Sequence, residues 1–219
     1  ADGVPVLIHD DTVDRTAAQV PIVTKALGGS TAVAEMTLAD LQKVELTAEG
    51  NSWGMGSGNT TTGRVPTLEQ LLRAVAGRCH LLLELKSKQP GLVSATASSL
   101  ERCGWLDEQS QPYDKGGVTV FCQDLSQLQE VGCLAPNAAR MLAVDRIDAQ
   151  AVDLALTHKL EGLSTSAAHE DLAEQVALAK SAGLCCRTAG IGAPDDTGLA
   201  NLHRAVAAGA DGTTIDWPF

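Results

Sequence analysis

His80-Leu81-Leu82-Leu83-Glu84-Leu85-Lys86 is a short, mostly apolar run with Gly77 behind it and Pro90 ahead. A run of this length between chain-breaking residues reads as a strand buried in a parallel sheet. Side chains alternate across a strand, so Glu84 and Lys86 share one face and Leu83 and Leu85 the other. Burying either charge alone costs several kcal/mol, so the two pair with each other or meet a metal ion or a charged substrate. A purely structural Glu84–Lys86 ion pair also satisfies that demand.

Working outward, Thr67 opens a helix through residue 76, with Pro66 before it and Thr67 and Gln70 spaced as a capping box. An earlier helix is expected over 37–45, with a Thr cap and Leu38, Leu41 and Val44 at helical spacing. Residues 50–63, rich in Gly, Ser, Asn and Thr, read as an exposed loop. Downstream, strands are expected over 118–121, 140–144, 162–165, 184–188 and 212–215. Helices are expected over 92–102, 125–131, 149–158, 170–182 and 199–208. Such alternation predicts a parallel α/β sheet with right-handed crossovers.

A doubly wound sheet and a TIM-type (β/α)8 barrel both fit that pattern. The first usually carries a phosphate-binding glycine loop after its first strand. Gly54-Met55-Gly56-Ser57-Gly58 has no strand before it and no phosphate-loop lysine after it. The barrel is therefore expected. Six strands follow residue 80, and two more would close it.

Composition narrows the function. With 16 Lys and Arg against 27 Asp and Glu, the net charge of −11 argues against nucleic acid or an anionic membrane as partner. Aromatic residues are 3% of the chain, too few for base-stacking platforms. No apolar run approaches the roughly 18–20 residues of a transmembrane segment. Apolar residues, at 44%, suffice for a core, and a soluble enzyme domain, cytoplasmic or secreted, is expected. Cys79, Cys103, Cys122, Cys133, Cys185 and Cys186 lack zinc spacing and read as thiols of a domain large enough to need no disulfides.

Val4-Pro5-Val6-Leu7-Ile8 reads as a short strand ending in His9-Asp10-Asp11-Thr12-Val13-Asp14-Arg15-Thr16. A histidine beside carboxylates can act as general acid or base, since its ordinary pKa lies near neutrality and the acids can orient it. A solvated His-Asp-Asp turn is the plainer alternative. Asp2-Gly3 is a hairpin-turn signal with only Ala1 before it, so the natural protein is expected to continue upstream. His80 falls at the strand start, away from any barrel mouth, and His158, His169 and His203 fall in or beside helices at the surface. Cys185-Cys186 has no histidine placed for nucleophilic catalysis, and no Gly-x-Ser-x-Gly elbow is present.

DGVPVLIHDDTVDRT at 2–16, MTLADLQKVE at 36–45, NSW at 51–53, RVPTLEQLL at 64–72, LLLELK at 81–86 and AGADGTTIDWP at 208–218 occur in that order. Together they resemble the glycerophosphodiester phosphodiesterase family, TIM barrels related to phosphatidylinositol-specific phospholipase C. The resemblance implies metal-dependent hydrolysis of a small glycerophosphodiester to glycerol 3-phosphate and an alcohol, a reaction of lipid metabolism. It implies that His9 is one of two catalytic histidines, that Glu84 is a ligand of Ca²⁺ or Mg²⁺, and that Lys86 contacts the substrate phosphate. The family's HRG and E-x-D segments do not occur here. The chain is accordingly expected to lack the first two barrel strands and, by itself, to be inactive and poorly soluble. Val118-Thr119-Val120-Phe121 and Cys186-Arg187-Thr188-Ala189 also depart from the family pattern. A catalytically silent family member, serving as a binding or structural module, is the alternative.

Overall fold

The computed structural model describes residues 2–17, 30–47, 62–76, 78–107, 117–192 and 195–215. A 3-10 turn (Val33–Glu35) leads to α1 (Leu38–Leu41) and an antiparallel pair, β1 (Leu46–Thr47) with β2 (Thr62–Gly63). Strands and helices then alternate: α2 (Leu68–Val75), β3 (Leu81–Glu84), α3 (Leu92–Arg102), β4 (Val118–Cys122), α4 (Leu125–Leu134) and β5 (Ala139–Ala143). They continue as α5 (Ala149–Thr157), β6 (Gly162–Ser166), α6 (Leu172–Ser181), β7 (Cys185–Ile191), α7 (Asp196–Ala207) and β8 (Gly212–Ile215).

Strands β3 to β8 form one six-stranded sheet in chain order, every neighbouring pair parallel. A doubly wound sheet reverses its strand order at a switch point. None occurs among the described strands, and the sheet is that of a partial TIM-type barrel. Register places Leu142, Leu163 and Cys186 in one row on the helix-facing side. They join Leu83, Leu128, Val152, Leu172 and Val176 in the main core. Each fully buried leucine contributes about 1.5–3 kcal/mol of transfer free energy. Aspartates start three helices close behind their strands. Asp124 accepts from Ser126 N at 2.9 Å, Asp148 from Ala151 N at 2.8 Å and Asp195 from Gly198 N at 2.8 Å. The Asp195 cap explains why α7 begins three residues before the expected 199.

The N-terminal excursion differs from expectation. Residues 4–8 form no strand and, among the described residues, carry one isolated bridge, Val6 to Thr67. Leu7 N donates to Pro66 O and Leu68 N to Pro5 O, each at 3.0 Å. Pro5 and Pro66 have no N–H to give, so the ladder cannot extend past this bridge. The helix expected over 37–45 ends at Leu41. Beyond it Gln42 Nε2 donates to Val65 O at 2.8 Å, the Gln42 carbonyl accepts from Arg64, and the chain turns toward β2. Val44 then joins Val13, Met36, Leu41 and Val65 in a small separate core. Of the loop expected over 50–63, Thr62–Gly63 form β2 instead, and the rest, NSW included, lies outside the described residues, as do residues 216–218.

Candidate active site

Glu84 is the last residue of β3, and Lys86 lies two positions beyond, at the C-terminal end of the sheet. Leu83 and Leu85 turn into the helix-side core at 8% and 6% exposure, which leaves Glu84 and Lys86 on the opposite, open face. Barrel enzymes place their chemistry at this end of the strands. His9, on the excursion, reaches the same spot from 77 positions away. Its Nε2 lies 3.3 Å from Lys86 Nζ, and Lys86 Nζ lies 3.3 Å from Glu84 Oε2. The ammonium thus sits between a ring nitrogen and a carboxylate.

On the other side of the ring, His9 Nδ1 is 2.7 Å from Asp10 Oδ1, and Arg15 Nε donates to Asp10 Oδ2 at 2.5 Å. The Arg15 hydrogen bond first, and that from His9 second, hold the Asp10 carboxyl down at about 2. Asp10 is therefore ionised throughout the neutral range. The next loop is tied to the site as well. Gln127 Nε2 donates to Ser87 O at 2.8 Å, and Lys88 pairs with Asp124 at 3.0 Å.

Glu84 can give a hard cation one carboxylate. Ca²⁺ and Mg²⁺ take six or more oxygens, and no group of three His, Cys, Asp or Glu side chains suited to a metal gathers among the described residues. The described donors fit one corner of such a site and do not complete it. A cavity of about 480 Å³ lies elsewhere, bounded by Val4, Thr67, Ser98 and Arg102. Its Arg102 is already bound to Glu69.

The family model of the glycerophosphoryl diester phosphodiesterases matches residues 1–218. The chain belongs to this family. Membership supports glycerophosphodiester phosphodiesterase activity. Solved structures agree on the fold. A candidate glycerophosphoryl diester phosphodiesterase from Silicibacter pomeroyi matches at TM-score 0.74 and 22% identity, over 99% of this chain and 76% of its own. An Oleispira antarctica phosphodiesterase in complex with the product sn-glycerol-3-phosphate matches at TM-score 0.74 and 22% identity, over 99% and 77%. A glycerophosphoryl diester phosphodiesterase from Parabacteroides distasonis matches at TM-score 0.68 and 22% identity, over 98% and 68%. Comparison with curated proteins gives no significant match.

Within this glycerophosphoryl diester phosphodiesterase domain, His9, Glu84 and Lys86 are brought together. His80 lies at the opposite end of β3, where Nε2 is 2.9 Å from Thr119 Oγ1. His169 lies beside a helix as expected, in the β6–α6 connection, with Nε2 2.5 Å from the Asp145 carbonyl oxygen. No spacing rule announces the Arg15–Asp10 contact, because it depends on an irregular turn. No helix among the described residues is long and apolar enough to cross a membrane.

Proposed function

We propose that the protein hydrolyses glycerophosphodiesters to glycerol 3-phosphate and an alcohol at the His9–Lys86–Glu84 cluster. The observation that carries this is Lys86 Nζ at 3.3 Å from both His9 Nε2 and Glu84 Oε2. A cation suited to phosphate, a proton-transfer nitrogen and a carboxylate thereby share one place at the mouth of the family's fold. The ammonium has three donors and can hold a phosphate oxygen while keeping one protein contact. His9 Nε2 would take the proton of the attacking hydroxyl as the new P–O bond forms, or return one to the departing alkoxide as the old bond breaks. sn-Glycerol 3-phosphate, the ligand of the Oleispira structure, is the product this reaction yields.

Glu84 is paired on one oxygen with Lys86 at 3.3 Å and is exposed at the mouth, so its other carboxylate oxygen could serve as one ligand of the Ca²⁺ or Mg²⁺ ion that the family resemblance implies. Such an ion, when bound, neutralises phosphate charge. Among the described residues β3 and β8 each pair with one strand, and two further strands carrying the remaining ligands would close the barrel between those edges.

The experiment is release of sn-glycerol 3-phosphate from glycerophosphocholine by the full-length protein with Ca²⁺ or Mg²⁺, compared with its His9→Ala variant. Release by the parent and loss in the variant support the proposal. No release from any glycerophosphodiester by folded protein would instead support the silent module.

A further inference from the structure

The charged groups behind His9 do not themselves exchange the proton just described. Asp10 Oδ1 faces His9 Nδ1 at 2.7 Å, while Arg15 Nε occupies the other carboxylate oxygen at 2.5 Å. An ionised carboxylate can only accept hydrogen bonds, so the neutral ring carries its proton on Nδ1 and its lone pair on Nε2. That lone pair is the atom 3.3 Å from Lys86 Nζ.

The His9 side chain is 74% exposed, so packing alone does not fix its rotamer or tautomer. The turn behind it is fixed. Val13 is fully buried, its N–H donates to Thr31 O at 3.1 Å, and Thr31 Oγ1 donates to Asp14 Oδ2 at 2.9 Å. Arg15 therefore springs from anchored backbone and carries that rigidity through Asp10 to an otherwise loose ring.

We propose that Asp10 and Arg15 are positioning residues: Arg15 pins the Asp10 carboxylate, and Asp10 sets the tautomer and ring orientation that present His9 Nε2 to the phosphate. This rests on the reading of His9 as the acid–base group. Both lie on the Nδ1 side of the ring, away from Lys86 and the phosphate it would hold. Loss of either should lower kcat and leave KM nearly unchanged, unlike loss of Lys86.

The test is ¹⁵N NMR of ring-labelled histidine in the full-length protein, with the His9 signals assigned by their loss in His9→Ala, alongside kcat and KM. The parent should show Nδ1 protonated and Nε2 bare. Asp10→Ala should give a tautomer mixture and a kcat lower by about 10–100-fold, below the full effect of removing the histidine. Arg15→Met should shift the same signals part-way, and Arg15→Lys should restore them in part by keeping the charge. An unchanged tautomer and kcat in Asp10→Ala and Arg15→Met, with turnover still lost in His9→Ala, would overturn the positioning roles and leave the acid–base reading standing. Full turnover in His9→Ala would overturn both.

Discussion

The six-stranded sheet with its helices and the excursion before Thr67 are built by different rules. The sheet repeats one unit, strand then helix, and buries a continuous core of which Leu128, Leu163 and Leu172 are fully enclosed. Among its described residues the excursion has a four-residue helix, two-residue strands, isolated bridges and a five-residue core. Yet the excursion carries His9, while the sheet carries Glu84 and Lys86. The site stands on a seam between a stiff part and a lightly held part, joined through Val6–Thr67 and the side chains of His9 and Lys86. Regions with few buried contacts open locally at lower free energy than the core around them. Catalysis should therefore be sensitive to changes that the overall stability barely registers.

The sharpest way to break that contrast is a pair of leucine truncations. Leu128→Ala, in the main core, and Leu41→Ala, in the small one, each remove a fully buried side chain worth about 2–5 kcal/mol. Leu128→Ala should lower the melting temperature of the whole domain. Leu41→Ala should abolish amide protection over 2–17 and 30–47 and reduce turnover, while the sheet keeps its protection. Hydrogen exchange read by mass spectrometry decides between them. If both variants lose protection everywhere, the two regions are one cooperative unit.

Next in size is Lys86→Ala. Lys86 binds across the seam, and its loss should raise KM about tenfold, the scale of one charge-assisted hydrogen bond. Steady-state kinetics with glycerophosphocholine measures it. Smaller still is Thr67→Ala, which removes a capping box at the start of α2 and should cost about 1 kcal/mol in a denaturant titration. Because the capping box lies between Pro66 and Leu68, whose backbone groups make the bridge, exchange at Leu7 should rise more than exchange within β4.

The smallest effect concerns pH. The folded Asp10 carboxyl lies at about 2, below its ordinary 3.8, so its contribution to stability is complete above about pH 4 and drains away toward pH 2. The melting-temperature difference between parent and Asp10→Asn should shrink as pH falls from about 4 toward 2 and be lost below that. A difference that grew on acidification would reverse the sign and remove the Arg15–Asp10 contact from the account.

The regular half was largely legible in the residues. HLLLELK marked β3 and the face shared by Glu84 and Lys86, and the Thr67–Gln70 spacing marked α2 to its cap. Legibility failed where the excursion departs from periodicity. Val4–Ile8 has the composition of a strand, but the prolines that forbid a ladder include Pro66, some sixty positions away. Leu38, Leu41 and Val44 have helical spacing, yet Val44 is buried by a chain that has already left the helix. The approach of His9 to Lys86 followed from family resemblance and barrel geometry, since nothing local to either residue encodes it. The link from Arg15 to Asp10 spans five residues of irregular turn and shows only in three dimensions.

The most direct test of a site divided across the seam is metal titration of turnover in His9→Ala and Glu84→Gln of the full-length protein. His9→Ala should bind metal like the parent yet turn over about 10²–10⁴-fold more slowly at every metal concentration, as loss of one acid–base group requires. Glu84→Gln should bind metal more weakly and regain turnover as metal is raised. Rescue of His9→Ala by metal, with none for Glu84→Gln, would contradict the roles assigned to the two sides of the site.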